Sequence, residues 1–442
     1  MIKEPHQAPS VTQRPRVRRA LPKAAVPFSN AQFRLLAGGL TLSLFGGGIW
    51  ILAVVWQVIE LGGSPIQLSV VATGASIGLV GAVLFGGVLA DRIPQKRILI
   101  TVEVIKGVSI AAAAVLALSG NIEVWHLAVV SFMLGICDGF FYPAYSALLP
   151  SVLPAEHLLA ANGIEGMLRP TIMLAAGPAA ASAAIALSSP GFAFAITAFT
   201  QIFAVAVLAT MRSFAVRREA HESAELKHPM RSMFDDLREG VRYVVRTPWL
   251  LGTLLFASVL VLLIMGPIEV LLPFAVKNQT GGGAGAFALA LATFGMGGAI
   301  GSLVVASVKL PRRYLTVIVM LWGAGGLPLV IIGYTSQLWV IASTLFVVGF
   351  AHTYATVIWG TLLQRRVPPA LLGRVSSLDF FVSLAFMPIS MALAGPVGEF
   401  IGIAPAFVVA GVVPVTFGIA TVLLAKMPKD EIEHPLDTST VG

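Results

Sequence analysis

Long apolar runs recur along this chain at nearly regular intervals, and no other feature constrains its fold as tightly. A hydrocarbon layer about 30 Å thick is crossed by a helix of roughly 20 apolar residues. Runs that meet this length lie near 33–58, 67–90, 98–118, 124–148, 162–187 and 192–211, then near 249–275, 285–307, 314–333, 338–363, 373–398 and 404–426. Each is continuously apolar instead of alternating with period two, and backbone groups in lipid must bond internally, so helices are predicted and a membrane barrel is not. With 57% hydrophobic and only 11% charged residues the chain cannot build a water-soluble surface. The predicted fold class is all-α integral membrane, with twelve transmembrane helices in two pseudo-symmetric six-helix bundles.

The basic residues fix an orientation. The net charge is +8, but Lys and Arg gather in the breaks on one side: Arg92, Lys96 and Arg97, then Lys309, Arg312 and Arg313, then Arg365, Arg366 and Arg374. Lys277 alone falls on the other side. Cytoplasmic loops carry the positive excess, so both termini are predicted to be cytoplasmic, and the charge needs no nucleic-acid partner to explain it. Cys137 is the single cysteine, which excludes an intrachain disulfide and a thiol metal cluster. No metal or cofactor is predicted, and no arrangement of Ser, His and Asp suggests an enzyme.

The runs divide the chain into a disordered cytoplasmic tail over 1–32, a first bundle over 33–211, a linker over 212–248, a second bundle over 249–426 and a cytoplasmic tail over 427–442. In the linker, Met233, Phe234, Leu237, Val241, Val244 and Val245 recur at helical spacing opposite Asp235, Asp236, Arg238, Glu239 and Arg242, the pattern of an amphipathic helix on the membrane face. Laying the fourth run on the tenth aligns Phe132, Gly135, Leu148, Leu149 and Pro154 with Phe346, Gly349, Leu362, Leu363 and Pro368. Gly177-Pro178 and Gly395-Pro396 follow at corresponding depths. Parallel repeats of this kind build a large group of secondary transporters with a substrate site at the repeat interface near the midplane.

The break after the second run reads Gly87-Val-Leu-Ala-Asp91-Arg92-Ile-Pro94-Gln95-Lys96-Arg97. It resembles the signature loop of the major facilitator superfamily. Asp138-Gly-Phe-Phe-Tyr-Pro-Ala-Tyr-Ser-Ala-Leu-Leu-Pro150, Leu159-Ala-Ala-Asn162 and Leu372-Gly-Arg374-Val resemble the exporter branch that includes macrolide efflux proteins, enterobactin exporters and lysophospholipid transporters. The resemblance spans roughly residues 33–425. It implies a multi-pass protein of the bacterial inner membrane, and a cytoplasmic latch in which Asp91 meets the N-terminus of the eleventh helix while Arg92, Lys96, Arg97 and Arg374 complete the charge pairing. Pro94 stands where glycine is usual, Gln95 where a basic residue is common, and the second-half copy from Gly301 to Arg313 keeps only its basic end. Gly177 and Pro178 are similar to the glycine-proline motif of antiporters in the superfamily, which implies a kink that seals the cavity. On the residues alone they are a kink beside small side chains that let helices approach.

A charge at bilayer depth costs at least about 2.5–3.5 kcal/mol, so each intramembrane ionisable residue has a partner, a cavity or a function. Asp138 and His352 occupy corresponding positions of the repeat, which suggests a proton-exchanging pair on one central cavity; the alternative is that each is separately bonded for packing, or that Asp138 meets Lys96 or Arg92. Glu165 and Arg169 are spaced to neutralise each other or to take part in gating, and Glu103 and Lys106 read as a structural pair. Asp379 is a candidate for coupling or latch contact. Glu269 lies between Gly266-Pro267 and Pro273, where a broken helix would turn an acid toward the pathway or its rim. The glycines from Gly281 to Gly285 read as a turn and not a phosphate loop, and without any ATP-binding motif, transport must draw on an ion gradient. Trp50, Trp56, Tyr142, Tyr145, Phe256, Trp322, Tyr354 and Trp359 are candidates to line the cavity or to anchor helix ends.

The sequence thus predicts a monomeric secondary exporter in contact with membrane lipid that moves a small amphipathic, drug-like molecule in exchange for protons. A siderophore or metabolite exporter, a lipid flippase of the same fold, and a membrane sensor or scaffold that does not transport stay open as alternatives.

Overall fold

The computed structural model describes residues 23–212, 229–308 and 310–436. The side-chain environments of residues 23–25, 84, 87, 88, 90, 91, 155, 159, 229–237, 369 and 370 lie outside that description. Among the described residues, twelve helices are long and apolar enough to cross a membrane. They are α1 (Ala31–Glu60), α2 (Pro65–Arg92), α3 (Gln95–Leu118), α4 (Val124–Val152), α5 (Glu156–Leu187), α6 (Pro190–Ala209), α7 (Pro248–Thr280), α8 (Ala284–Ser307), α9 (Tyr314–Ile332), α10 (Leu338–Arg366), α11 (Leu371–Phe400) and α12 (Ile403–Leu424). Each of the twelve predicted runs coincides with one of them. An even number of crossings puts the two ends of the described chain at the same end of the bundle, here called the termini-bearing end.

Helix starts follow ordinary capping chemistry. Asn30 Oδ1 accepts from the backbone N–H groups of Gln32 and Phe33 at 2.8 and 3.3 Å, and its amide donates to Val152 O at 2.9 Å, which ties α1 to the end of α4. At the far end the connections are tight. Gly62, Gly120 and Gly281 adopt φ of +74°, +75° and +65°, a left-handed conformation that ends a helix without steric cost. Gly281 thus caps α7, and of the predicted glycine turn Gly285 already belongs to α8.

In lipid there is no hydrophobic drive between helices, so close packing of small residues does much of the joining. The two halves use the same device at the same place. A Cβ at Gly78 would fall on the carbonyl of Phe132, and one at Gly135 on that of Ala75, which crosses α2 on α4 backbone to backbone. Gly297 meets the carbonyl of Phe346 and Gly349 that of Phe294, which repeats the crossing for α8 and α10. Phe132 and Gly135 are the residues that the sequence aligned with Phe346 and Gly349, so the repeat in the sequence is a repeat in the packing.

Among the described residues the halves touch mainly over their far portions. Ile66 N–H donates to Glu399 Oε1 at 3.1 Å, and Gly395 of α11 lies directly on Pro65 of α2. α5 follows α8 from Gly285, whose Cβ would lie 3.3 Å from Ser182 Oγ, to Gly295, whose Cβ would lie 2.9 Å from Pro170 O. Among the described residues the first part of α5 beyond that point packs mainly on its own half, and Gly163 and Gly166 face open space. The bundle is closed at the far end and splayed at the termini-bearing end.

Two predicted tails are ordered where they meet the bundle. Residues Lys23–Ser29 form a 3-10 turn that packs on α5, and Met427–Glu433 form a helix instead of a free tail. The reason is charge pairing: Glu431, only 3% exposed, accepts from Thr316 N–H at 2.7 Å and Oγ at 3.1 Å, and Asp430 pairs with Arg366. The predicted amphipathic linker helix is present over Pro229–Arg246, with Gly240 seated against Arg374 and Leu378 of α11.

A side chain forced into one of these crossings has nowhere to go, because its neighbour is backbone. Gly135→Val is expected to cost about 3 kcal/mol or more by overpacking, whereas Gly163→Ala, in open space, leaves stability unchanged. Thermal unfolding of the purified variants in detergent reads both.

Candidate functional site

Where the halves close at the far end they leave a cavity of about 300 Å³. Both halves line it: α1, α2, α4 and α5 from the first, α7, α8, α10 and α11 from the second. Its surface is apolar, with Trp50, Phe287 and Phe294 as the aromatic residues and Met173, Met387 and Met391 as deformable contacts. Two carboxylates reach it, Asp138 and Glu269, and among the described residues no Lys, Arg or His does.

Glu269 is presented by a local irregularity. Pro267 has no N–H to donate within the helix, and α7 passes through a π-helical turn over Pro267–Leu271 instead of breaking as the sequence suggested. α11 stabilises this turn: Gly266 N–H donates to Ser390 Oγ at 2.8 Å, and that hydroxyl donates to Leu262 O at 2.8 Å. Among the described residues Glu269 has no hydrogen-bond or ion-pair partner. A second π-helical turn, Arg169–Ala176 in α5, ends at Gly177, which lies against Gly48 of α1. The predicted bend at Gly177-Pro178 therefore begins one to two turns earlier, at Pro170.

Asp138 sits at a junction. It borders the central cavity and a smaller side pocket of about 90 Å³ that runs into the first half, lined in part by Ser43, Lys106, Tyr142 and Gln201. Its Oδ1 lies 2.6 Å from Lys106 Nζ, and Lys106 is also 3.7 Å from Glu103 Oε1. Ser43 Oγ donates to that same Glu103 oxygen at 2.7 Å. The Lys106 ammonium stands 5.1 Å from the Phe141 ring centroid. Glu103 and Lys106 side chains are 0% and 8% exposed, against 39% for Asp138, so the cluster reaches the cavity through Asp138. The sequence identified Glu103 and Lys106 as a pair but had no signal to add Asp138, because its distance from them along the chain carries no helical period.

His352, the repeat counterpart of Asp138, does not meet it. It lines a separate pocket of about 30 Å³ in the second half, with Trp322 and no lysine in its lining among the described residues. The symmetry of the fold is thus kept and its chemistry is not. Arg169 turns from Glu165 to Tyr142, donating to its hydroxyl at 2.8 Å with the guanidinium 4.5 Å from the ring. Asp379 is held by Trp359, whose indole N–H is shared between both carboxylate oxygens at 3.2 Å, beside Trp249 and Trp322.

Of the aromatic candidates, Trp50 lines the central cavity and Tyr142 the side pocket. Tyr145 and Phe256 are core residues. Phe287, Phe294 and the methionines were not singled out from the sequence, since in an apolar helix they look like any other packing residue.

The latch residues divide. Lys96 donates to Ala209 O at 2.9 Å and to Met211 O, at the C-terminus of α6, where a cation complements unsatisfied carbonyls. Arg374 pairs with Glu239 of the linker helix. Arg92 and Arg97 are exposed, and the surroundings of Gly87 and Asp91 lie outside the described residues.

Twelve helices in two repeated halves with a cavity between them make up the major facilitator fold. The solved structure of the nucleoside transporter NupG has that fold and superimposes with a TM-score of 0.65 at 12% identity, covering 91% of this chain and 99% of that one. The profile of the transmembrane secretion effector family matches residues 23–439, and the chain belongs to that family of the major facilitator superfamily. Its relatives include the multidrug efflux pump Tap of Mycolicibacterium fortuitum, 27% identical over 411 residues, 88% of this chain and 96% of that protein. Macrolide efflux protein A of Streptococcus pyogenes is 23% identical over 407 residues, 91% of this chain and 98% of that protein.

Breaking a buried pair by removing one partner is far costlier than never having had it. Lys106→Met is expected to destabilise the protein by about 3–5 kcal/mol, and adding Glu103→Gln and Asp138→Asn to it is expected to restore most of the loss. Thermal unfolding of the single and triple variants checks this.

Proposed function

We propose that this protein exports a small amphipathic cation from the cytoplasm by alternating access, in exchange for protons. The observation that carries the reading is the cavity between the halves, which is apolar and aromatic, holds two carboxylates and has no basic residue in its lining among the described residues. Such a surface binds an apolar body by contact and a positive charge by pairing in a medium of low dielectric. An anionic siderophore would meet two carboxylates, with the nearest ammonium, Lys106, already held by Asp138. Glu269, with no partner among the described residues, and Asp138, which reaches the cavity from the Glu103–Lys106 cluster, are the groups that meet the substrate charge, and that cluster is the part that exchanges with protons.

Direction and orientation support the same reading. The splayed end carries the basic loops, and by the positive-inside rule it faces the cytoplasm, so the conformation is inward-open. The relatives Tap and macrolide efflux protein A are efflux proteins by name. Transport then consists of the halves rocking about the cavity: the α2–α11 and α5–α8 contacts at the far end open while the cytoplasmic ends close.

Everted vesicles loaded with the protein are expected to take up tetraphenylphosphonium when a proton gradient is applied. Glu269→Gln weakens its binding about tenfold, equivalent to 1.4 kcal/mol, and Asp138→Asn removes the dependence on the gradient. Uptake that ignores the gradient in the unmodified protein, across a broad panel of cations, would sink proton antiport. In a Cys137→Ser background, Gly163→Cys is expected to react with a membrane-impermeant thiol reagent from the cytoplasmic side only, and protection by substrate would report closure.

A further inference from the structure

The Glu103–Lys106–Asp138 cluster carries one ammonium and two carboxylates, so without a bound proton it would hold a net charge of −1 at the depth of the membrane. A charge there is costly unless it is neutralised. Lys106 lies at ion-pair distance from Asp138, 2.6 Å, and stands back from Glu103 at 3.7 Å. Glu103 Oε1 accepts from Ser43, while Oε2 is fully buried and has no partner. Gln201 of α6, 2% exposed, packs on α3 one turn from Glu103, with its Cβ 3.4 Å from where a Cβ of Gly107 would lie, and its Oε1 is likewise buried without a partner. Two buried acceptor oxygens with no donor between them are expensive. One proton on Glu103 Oε2 removes the carboxylate charge and supplies the missing donor.

We propose that Glu103 is the residue that holds the transported proton, and that Lys106 moves charge between it and Asp138 so that a proton and a cationic substrate exclude each other. The inference rests on the proton-coupled reading above and names the residue behind it. With the proton on Glu103, Lys106 is engaged by Asp138 and the cluster is neutral. When a cation reaches the 39% of Asp138 that faces the cavity, it replaces Lys106 there. Lys106 shifts to Glu103, whose Oε2–H bond breaks, and the proton leaves through the side pocket, which shares Asp138 with the central cavity. The cluster and its ligand are neutral again, with one proton exchanged for one positive charge. Of the other groups near the cluster, Ser43 and Gln201 are neutral, Cys137 is a buried thiol, Arg169 carries a fixed positive charge while donating to the Tyr142 hydroxyl, and Glu269 faces Asp138's cavity from α7 in the other half.

The test uses the whole protein in nanodiscs, weakly buffered, with tetraphenylphosphonium as the probe. The unmodified protein is expected to release about one proton per cation bound, with affinity rising up to about tenfold per pH unit, the linkage limit for a single proton. Glu103→Gln, a folded variant by thermal unfolding, still binds the cation, with an affinity that no longer varies with pH and with no proton released. A proton released by Glu103→Gln, as by the unmodified protein, overturns the assignment. If the unmodified protein releases none, the proton-coupled reading itself fails, which is a separate result. Should Glu103→Gln not fold, Glu103→Asp carries the test: the carboxyl is drawn back from Ser43 by one methylene, so proton release persists while the pH midpoint of binding moves by about one unit. An unmoved midpoint overturns the proposal.

Discussion

Backbone set directly on backbone at the α2–α4 and α8–α10 crossings is the contact on which the remaining architecture depends. Gly78, Gly135, Gly297 and Gly349 let a carbonyl of the neighbouring helix occupy the space of a Cβ. In lipid, where apolar side chains gain little by meeting each other, this approach is what holds a pair of helices at fixed angle and depth. Because both halves repeat it, their cavity-facing surfaces come to the same level, and the space between them becomes one cavity.

The functional groups depend on departures from that regularity. A proline inside a membrane helix frees backbone groups that have no water to turn to, so a neighbour must satisfy them. In α7 the Ser390 hydroxyl of α11 does so, and the π-helical turn that results points Glu269 into the cavity. In α5 a similar turn begins at Arg169, which is drawn to Tyr142. Both turns lie at the level where the two halves meet, so the sites of irregular backbone are also the sites of chemistry.

The two halves are alike in shape and unlike in charge. Asp138 and His352 occupy matching places, but the first half adds Lys106 and Glu103 while the second offers Trp322. A symmetric scaffold therefore holds an asymmetric charge distribution, with an ion cluster beside the cavity in the first half and Glu269, without a partner among the described residues, in the second. The second half has ion pairs at the termini-bearing end, where Arg366 and Arg313 meet Asp430 and Glu431 of the C-terminal helix.

The number of crossings, their boundaries and the repeat were legible in the sequence, because transfer into lipid depends on run length and composition. Glu269 was legible as well, since the prolines that flank it are local signals. Only the tertiary structure decided that Asp138 pairs with Lys106 and not with His352, that Arg169 prefers Tyr142 to Glu165, and that phenylalanine and methionine from three helices line the cavity. The physical reason is the same for each. In a chain whose helices are apolar all round, the side chains that face a partner, the lipid or the cavity have the same composition, and the periodicity that marks a buried face in a water-soluble protein carries no contrast here.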